Sequence, residues 1–415
     1  MKTGKILFAS LIGTTIEFFD FYIFATAAVL VFPKLFFPHG DPAAATLQSL
    51  ATFALAFFAR PVGSALFGHF GDRIGRKATL VAALMTMGLS TVLIGFLPTY
   101  DSWGIWATLL LCLCRLGQGI GLGGEWGGAV LLAVENAPPG RKTWYGMFPQ
   151  LGAPLGFIAS SSTFLLLSRW MGEADFYAWG WRIPFIASAL LVAVGLYVRL
   201  NLEETPDFRR ALENRERVRV PITRVVRRQP LPLLFGTLSA VATFVTFYLM
   251  TVFALGWGTS HLGYTRTQFL LLQLVAVTLM AVTIPLSALL ADRIGRKWSL
   301  MLSSVMVIAL GLGFSGLFRG GSGQVLAFLS VGFAVMGMTY GPLGAALSEV
   351  YPTAVRYTGA SLSFNLAGIL GASLTPAIAN SLGQKYGLAA VGAYLAGAGL
   401  LSLLATWVLT LKKPA

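Results

Sequence analysis

Apolar residues fall along this chain in twelve blocks, near 6–32, 45–70, 79–98, 104–134, 146–168, 183–201, 231–256, 268–291, 298–318, 325–350, 358–381 and 388–411. Each has about the 17–25 residues that a helix needs to cross a bilayer, or slightly more if tilted. The pattern predicts an all-α integral membrane protein of twelve transmembrane helices. The first block follows Met1-Lys2-Thr3-Gly4-Lys5 and contains Ala25-Thr26-Ala27, as a cleaved leader does. Its length, and the acids Glu17 and Asp20 within it, argue for a retained span.

Between the blocks, the polar segments repeat. Asp72-Arg73-Ile74-Gly75-Arg76-Lys77 returns letter for letter as Asp292 to Lys297. A second pair of landmarks recurs at nearly the same offset: Glu135 and Arg141 close the fourth block, and Glu349 and Arg356 close the tenth. A charged loop repeated at one place in two hydrophobic halves indicates internal duplication, a recurring transporter design. The expected division is a six-helix bundle over 1–201, a central linker over 202–230 and a second, pseudo-symmetric six-helix bundle over 231–415. The linker mixes charges and contains Pro206 and Pro221. It reads either as a partly amphipathic segment on the membrane surface or as a solvated connector.

Composition adds support. Hydrophobic residues make up 56% of the 415 and charged residues only 11%, less than half the roughly one quarter of a soluble domain. The net charge of +14 suggests nucleic acid until the bases are placed. They cluster in alternate loops, as orientation signals do, so no nucleic-acid partner is expected. One side holds both copies of the repeated loop, Arg141, Arg356, the arginine-rich linker and both termini; the other holds Lys34, Arg169, Arg182, Arg266, Arg319 and Lys385. The positive-inside rule then puts both termini in the cytoplasm of a multi-pass cell (inner) membrane protein. Cys112 and Cys114 have neither metal spacing nor a common helix face, and read as packing residues.

The motifs resemble a known family. Gly68-His69-Phe70-Gly71-Asp72-Arg73-Ile74-Gly75-Arg76-Lys77 is similar to the helix 2–3 loop signature of the major facilitator superfamily. Arg115 to Gly128, Pro149 to Pro154, Gly180 to Phe185, Glu204-Thr205-Pro206 and Tyr351 to Ser361 resemble its metabolite:proton symporter branch, and the match runs from the first helix to the twelfth. That branch carries organic acids such as citrate, 2-oxoglutarate and shikimate, as well as proline and betaine. The resemblance implies a cytoplasmic gate of charge clusters: Asp72, Arg73, Arg76, Glu135 and Arg141, with Asp292, Arg293, Arg296, Glu349 and Arg356. Asp72 is placed to cap a helix end of the other half and to pair with an arginine. One departure is Ala288 where the first copy has Gly68, which predicts looser helix packing there. His69 reads as structural.

Five ionisable residues other than tyrosine and cysteine fall clearly within predicted spans: Glu17, Asp20, Arg60, Arg115 and Glu125. All are in the first half. Burying each costs at least about 2.5–3.5 kcal/mol, so such groups normally pair or line a wet cavity. Asp20 and Arg115, with Glu17 beside them, are the expected proton-coupling group, because moving or occupying the arginine switches the acid. A helix 1 acid and a helix 4 arginine do this in the related sugar-porter branch, as the resemblance implies. Arg60 either presents its fork to a substrate carboxylate or neutralises Glu17. Glu125 reads as a hydrogen-bond partner of nearby backbone or as a second proton site, on a helix whose Gly119, Gly123 and Gly127 permit close approach. Gln150, Tyr248, Gln273, Tyr340 and Asn365 complete the substrate-contact candidates, those of the second half being neutral.

The expected function is proton-coupled symport of a small organic acid or zwitterion by a monomer, with the lipid bilayer as its surroundings and no cofactor beyond the coupling proton. The alternative in transport is a proton-coupled exporter; Gly152-Ala153-Pro154-Leu155-Gly156 is somewhat like an exporter motif in a different order. A receptor lacks a soluble readout domain here. An enzyme lacks a nucleophile–base pair, metal cluster or phosphate loop.

Overall fold

Inside a bilayer every backbone polar group needs an internal partner, so each apolar block is satisfied only as a helix. The computed structural model describes residues 3–38, 41–74, 76–200, 221–352 and 355–409. The side chains of 68–77, with His69, Asp72, Arg73 and Arg76, and linker residues 201–220 lie outside what is described.

Among the described residues there are twelve helices long and apolar enough to span a membrane, and no strand. In the first half these are α1 (Thr3–Leu30), α2 (Pro42–Ile74), α3 (Arg76–Phe96), α4 (Ile105–Glu135), α5 (Lys142–Trp170) and α6 (Ile183–Leu200). In the second they are α7 (Pro230–Ser260), α8 (Arg266–Ile294), α9 (Arg296–Leu317), α10 (Ser322–Val350), α11 (Arg356–Tyr386) and α12 (Leu388–Val408). A belt of exposed apolar side chains, including Phe96, Leu113, Leu190, Leu312 and Trp407, faces outward. A surface of that kind belongs in lipid.

Within each half, glycines set the helix spacing. A Cβ at Gly119 would come 2.2 Å from the Ala56 carbonyl oxygen, and one at Gly123 2.0 Å from that of Arg60. So α4 lies with its backbone against α2, as its glycine spacing predicts. The second half repeats the seam with the small residues on α10: Gly337 meets Thr283 and Gly341 meets Ser287 and the Ile284 carbonyl of α8. Ala288 is fully buried in this region. The looser packing expected of it is not seen, because the partner helix supplies the glycines.

Three helices are irregular, and all three irregularities lie near the junction of the halves. Helix α4 breaks at Gly124 and Glu125, while α7 and α11 each widen into a π turn, at Leu249–Phe253 and Ile369–Ser373. Such breaks free carbonyls that other groups must satisfy. At the α4 break, Gly123 O accepts from Ser64 Oγ (2.5 Å) and Asn365 Nδ2 (3.3 Å), and Gly124 O accepts from Tyr357 Oη (2.5 Å). At the α7 turn, the Gln273 amide donates to Met250 O (2.9 Å) and Thr251 O (2.8 Å). The described end of the linker, a helix at Pro221–Arg228, buries Val225 against Tyr351, Val355 and Leu362 and leaves Arg224, Arg227 and Arg228 exposed.

Candidate functional site

A cavity of about 20 Å³ lies where the halves meet, lined from α1 by Glu17 and Tyr22, from α2 by Arg60, and from α7 and α10 by Tyr248 and Tyr340. It has room for a water molecule but not for a metabolite. The seam with α4 pins the backbone of Arg60, whose guanidinium stacks over Phe21 (4.7 Å) and Phe57 (4.6 Å). Arg60 is buried, makes no ion pair among the described residues, and its Nε has no hydrogen-bond partner. Arg60 therefore makes no direct ion pair with Glu17, which it faces across the cavity. Tyr340 Oη is likewise buried and unpartnered. Tyr248 packs edge-on against Phe57, with ring centroids 5.5 Å apart.

Other candidates hold the halves together. Gln150 Oε1 accepts from Trp126 Nε1 (2.9 Å) and its amide donates to Tyr340 O (3.1 Å), while the Trp126 ring lies flat on Phe364 at 3.7 Å. Asn365 donates to Ser64 Oγ (2.6 Å) as well as to the α4 break. Gln273 keeps Oε1 free beside a second small cavity with Tyr22, Phe157 and Thr251.

The intramembrane charges are arranged differently from the expected pairs. Asp20 is completely buried; Oδ1 accepts from Ser188 Oγ at 2.5 Å and Oδ2 has no partner. Asp20 and Arg115 do not touch. Arg115 donates to Phe53 O (3.2 Å) and Gln118 Oε1 (2.8 Å), and its plane lies between Phe21 (4.2 Å) and Phe24 (4.0 Å). The link is indirect: Gln118 Nε2 donates to Thr91 Oγ1 (2.8 Å), and Thr91 adjoins the Asp20 carboxyl. Glu125 is not a backbone partner. Both its oxygens accept from Arg199 of α6, at 2.9 and 3.0 Å, and Arg199 also donates to Leu80 O. Arg199 is missing from the sequence-derived set because it stands in the last turn of α6, where a basic residue reads as interfacial. An acid in α4 without a matching base was the signal for it.

At the face carrying the repeated loop, the charge cluster of the second copy is built across the halves. Asp292 accepts from the backbone amides of Thr143 (3.1 Å) and Trp144 (3.0 Å), capping α5. That is the cap expected of Asp72, seen at its repeat. Arg296 donates to Thr143 Oγ1 (2.9 Å), pairs with Glu349 (2.5 Å) and stands 4.0 Å from Asp292. Glu135 is partnered at the end of α4. Arg141 and Arg293 are exposed, Arg356 Nε has no hydrogen-bond partner, and among the described residues none of the three is in an ion pair. At the opposite face Arg266 of α8 donates to Ser168 Oγ of α5 (2.7 Å) and lies 3.9 Å over Phe176. Both ends of the α5–α8 contact are therefore tied.

Residues 10–372 match the Major Facilitator Superfamily model. The chain belongs to the major facilitator superfamily. This facilitator is 54% identical over 410 residues to the inner membrane metabolite transport protein YhjE of Escherichia coli (strain K12), covering 97% of this chain and 93% of that protein. It is 34% identical to the shikimate transporter of the same organism, over 92% and 88% of the two chains. Among solved structures, the D-xylose-proton symporter superimposes with a TM-score of 0.76 at 18% identity, covering 99% and 98% of the chains, which speaks to the fold. The facilitator is a multi-pass transporter of metabolites, similar to the metabolite:proton symporters, not an enzyme, and transporters of this type need no cofactor.

The Asp292 cap yields a direct expectation for the facilitator. An acid at a helix N-terminus contributes about 0.5–2 kcal/mol, and this one acts only while the halves touch at that face. Asp292→Ala should therefore enrich conformers open at that face by about 2- to 30-fold, read as longer distances between spin labels on α5 and α9. Unchanged distance distributions would show that the cap biases nothing.

Proposed function

We propose that this transporter imports a small organic anion or zwitterion together with a proton, by rocking its two halves about the central cavity. The observation that carries the reading is a cationic and an acidic side chain, Arg60 and Glu17, both lining one cavity at the interface of the halves and not paired with each other. A carboxylate suits the Arg60 fork, and its aromatic flank keeps the fork planar and dry. The similarity to a shikimate transporter supports a carboxylate among the substrates. We read the face with the repeated loop as cytoplasmic, both termini included, and the protein as a monomer with its halves divided at 202–230.

The driving proton belongs on α1. Asp20, held by Ser188 and set beside the Thr91–Gln118–Arg115 chain, is an acid whose environment changes whenever α4 shifts against α1. The test is uptake into proteoliposomes under an inward proton gradient, screening mono-, di- and tricarboxylates, shikimate, proline and betaine. Accumulation of one compound, lost with a protonophore and in Asp20→Asn while exchange persists, is the expected result. Gradient-driven efflux instead would make the protein an antiporter.

A further inference from the structure

Glu17 stands at a position the central cavity alone does not explain. It also lines a second cavity of about 30 Å³, enclosed within the first half and bounded by Ser10, Gly13, Glu125, Leu132 and Arg199. This space has room for a water molecule. Ser10 lies toward the start of α1 and Leu132 toward the end of α4, so the cavity reaches from mid-membrane toward the face carrying the repeated loop. Gly13 leaves space for the Arg199 head, since a Cβ there would come 3.3 Å from Nη2.

The groups facing Glu17 set its charge. Glu125 of α4 and Arg199 of α6 line the same cavity as Glu17. Arg60 of α2 and Tyr340 of α10 face it across the central cavity. Helices α3 and α5 bring Leu80 and Ala153. Behind the central cavity there are thus two acids and one guanidinium, all at most 8% exposed. Fully ionised, the trio carries a net negative charge that Arg60, stacked on Phe21 and Phe57 and not paired with Glu17, does not engage directly, and such a charge is costly at this depth. One proton makes it neutral. Arg199 already engages both Glu125 oxygens, while Glu17 Oε2 has no donor, so the proton rests on Glu17.

We propose that Glu17 and Glu125 share one proton, balanced by Arg199, and that the coupling proton passes through this pair between the substrate cavity and the cavity behind it. The inference rests on the proton-coupled reading above. In the step itself, the Glu17 O–H bond breaks as a Glu125 O–H bond forms. Glu125 then yields the proton to water in the second cavity, and Arg199 stays protonated throughout. A substrate carboxylate on Arg60 removes the cation nearest the central face of Glu17 and so holds the proton on the pair while the anion is bound.

Infrared spectroscopy of the purified protein in lipid tests this without any substrate, because a buried protonated carboxyl has a C=O stretch distinct from that of a carboxylate. In an Asp20→Asn background, which silences the other α1 acid, one such band should persist at neutral pH. Glu17→Gln should remove it, since Glu125 and Arg199 then balance. Glu125→Gln should remove the same band, since Glu17 then ionises against Arg199. A band that survives Glu125→Gln overturns the shared proton. If that variant fails to fold, Glu125→Asp serves: it should shift the band frequency, and an unshifted band overturns the proposal equally. Because no transport is measured, a shared band with no proton-coupled uptake would refute the functional reading, and with it the passage of the coupling proton, while the shared proton itself would stand.

Discussion

Arg199→Gln is expected to destabilise the folded transporter by about 3–5 kcal/mol, the usual cost of stranding a buried charge by removing its partner. Glu125 is 1% exposed and both its oxygens are engaged by this one guanidinium. Glutamine cannot span both, and the Leu80 carbonyl loses its donor as well. Glu125→Gln/Arg199→Gln should recover most of the loss, because two neutral amides in the same space leave no isolated charge. The shortfall from additivity should reach about 0.5–3 kcal/mol, as for any contacting pair. The single variant should also be less impaired at acidic pH, where a proton replaces the missing cation. Thermal unfolding in lipid or detergent at two pH values, with all four proteins, measures every part of this. Equal unfolding temperatures for Arg199→Gln and the parent would mean that the ion pair contributes nothing.

The second large effect is on transport. Arg60→Ala should weaken binding of a carboxylate substrate by about 30- to 5000-fold, the equivalent of 2–5 kcal/mol for truncating one partner of a buried charge pair. Stability should fall far less. Arg60 makes no ion pair among the described residues, and its stacking on Phe21 and Phe57 amounts to about 0.5–2 kcal/mol. Arg60→Lys keeps the charge but loses the planar fork, so it should retain only part of the uptake. Radiolabelled uptake alongside unfolding temperature separates the two effects. Undiminished carboxylate uptake in Arg60→Ala would move the anion site elsewhere, with Arg115 the next guanidinium to test.

The twelve helices were legible because lipid leaves one solution to a long apolar block. The duplication was legible because the loop motif repeats without change. Helix irregularities were not, with one exception: the glycines around Glu125 hinted at the break in α4, whereas nothing in Leu249–Phe253 announces a π turn. Its warrant lies in Gln273, a residue on a different helix. Asp20 and Arg115 were paired on the chemistry of an acid beside an arginine and on the family resemblance, which leave open which way each side chain faces. Arg115 turns out to face Phe21, Phe24 and Gln118. Asn365 and Gln150 stood out in the sequence as substrate-contact candidates. In the fold, Asn365 donates to Ser64 Oγ and Gly123 O and Gln150 to Tyr340 O, all across the halves, while Trp126 of the same half donates to Gln150.

The pairing of Glu125 with Arg199 also bears on how the protein is made. Helix α4 leaves the ribosome long before the last turn of α6, so its acid enters the membrane with no base beside it. Until α6 arrives, the nascent chain must keep that carboxyl protonated or shielded, and the unfinished bundle stays open to the enzymes that clear misassembled membrane proteins. The final turn of α6 thus acts as a completion signal. A chain cut before residue 199 should be degraded, while one cut just after it can already hold its first six helices together.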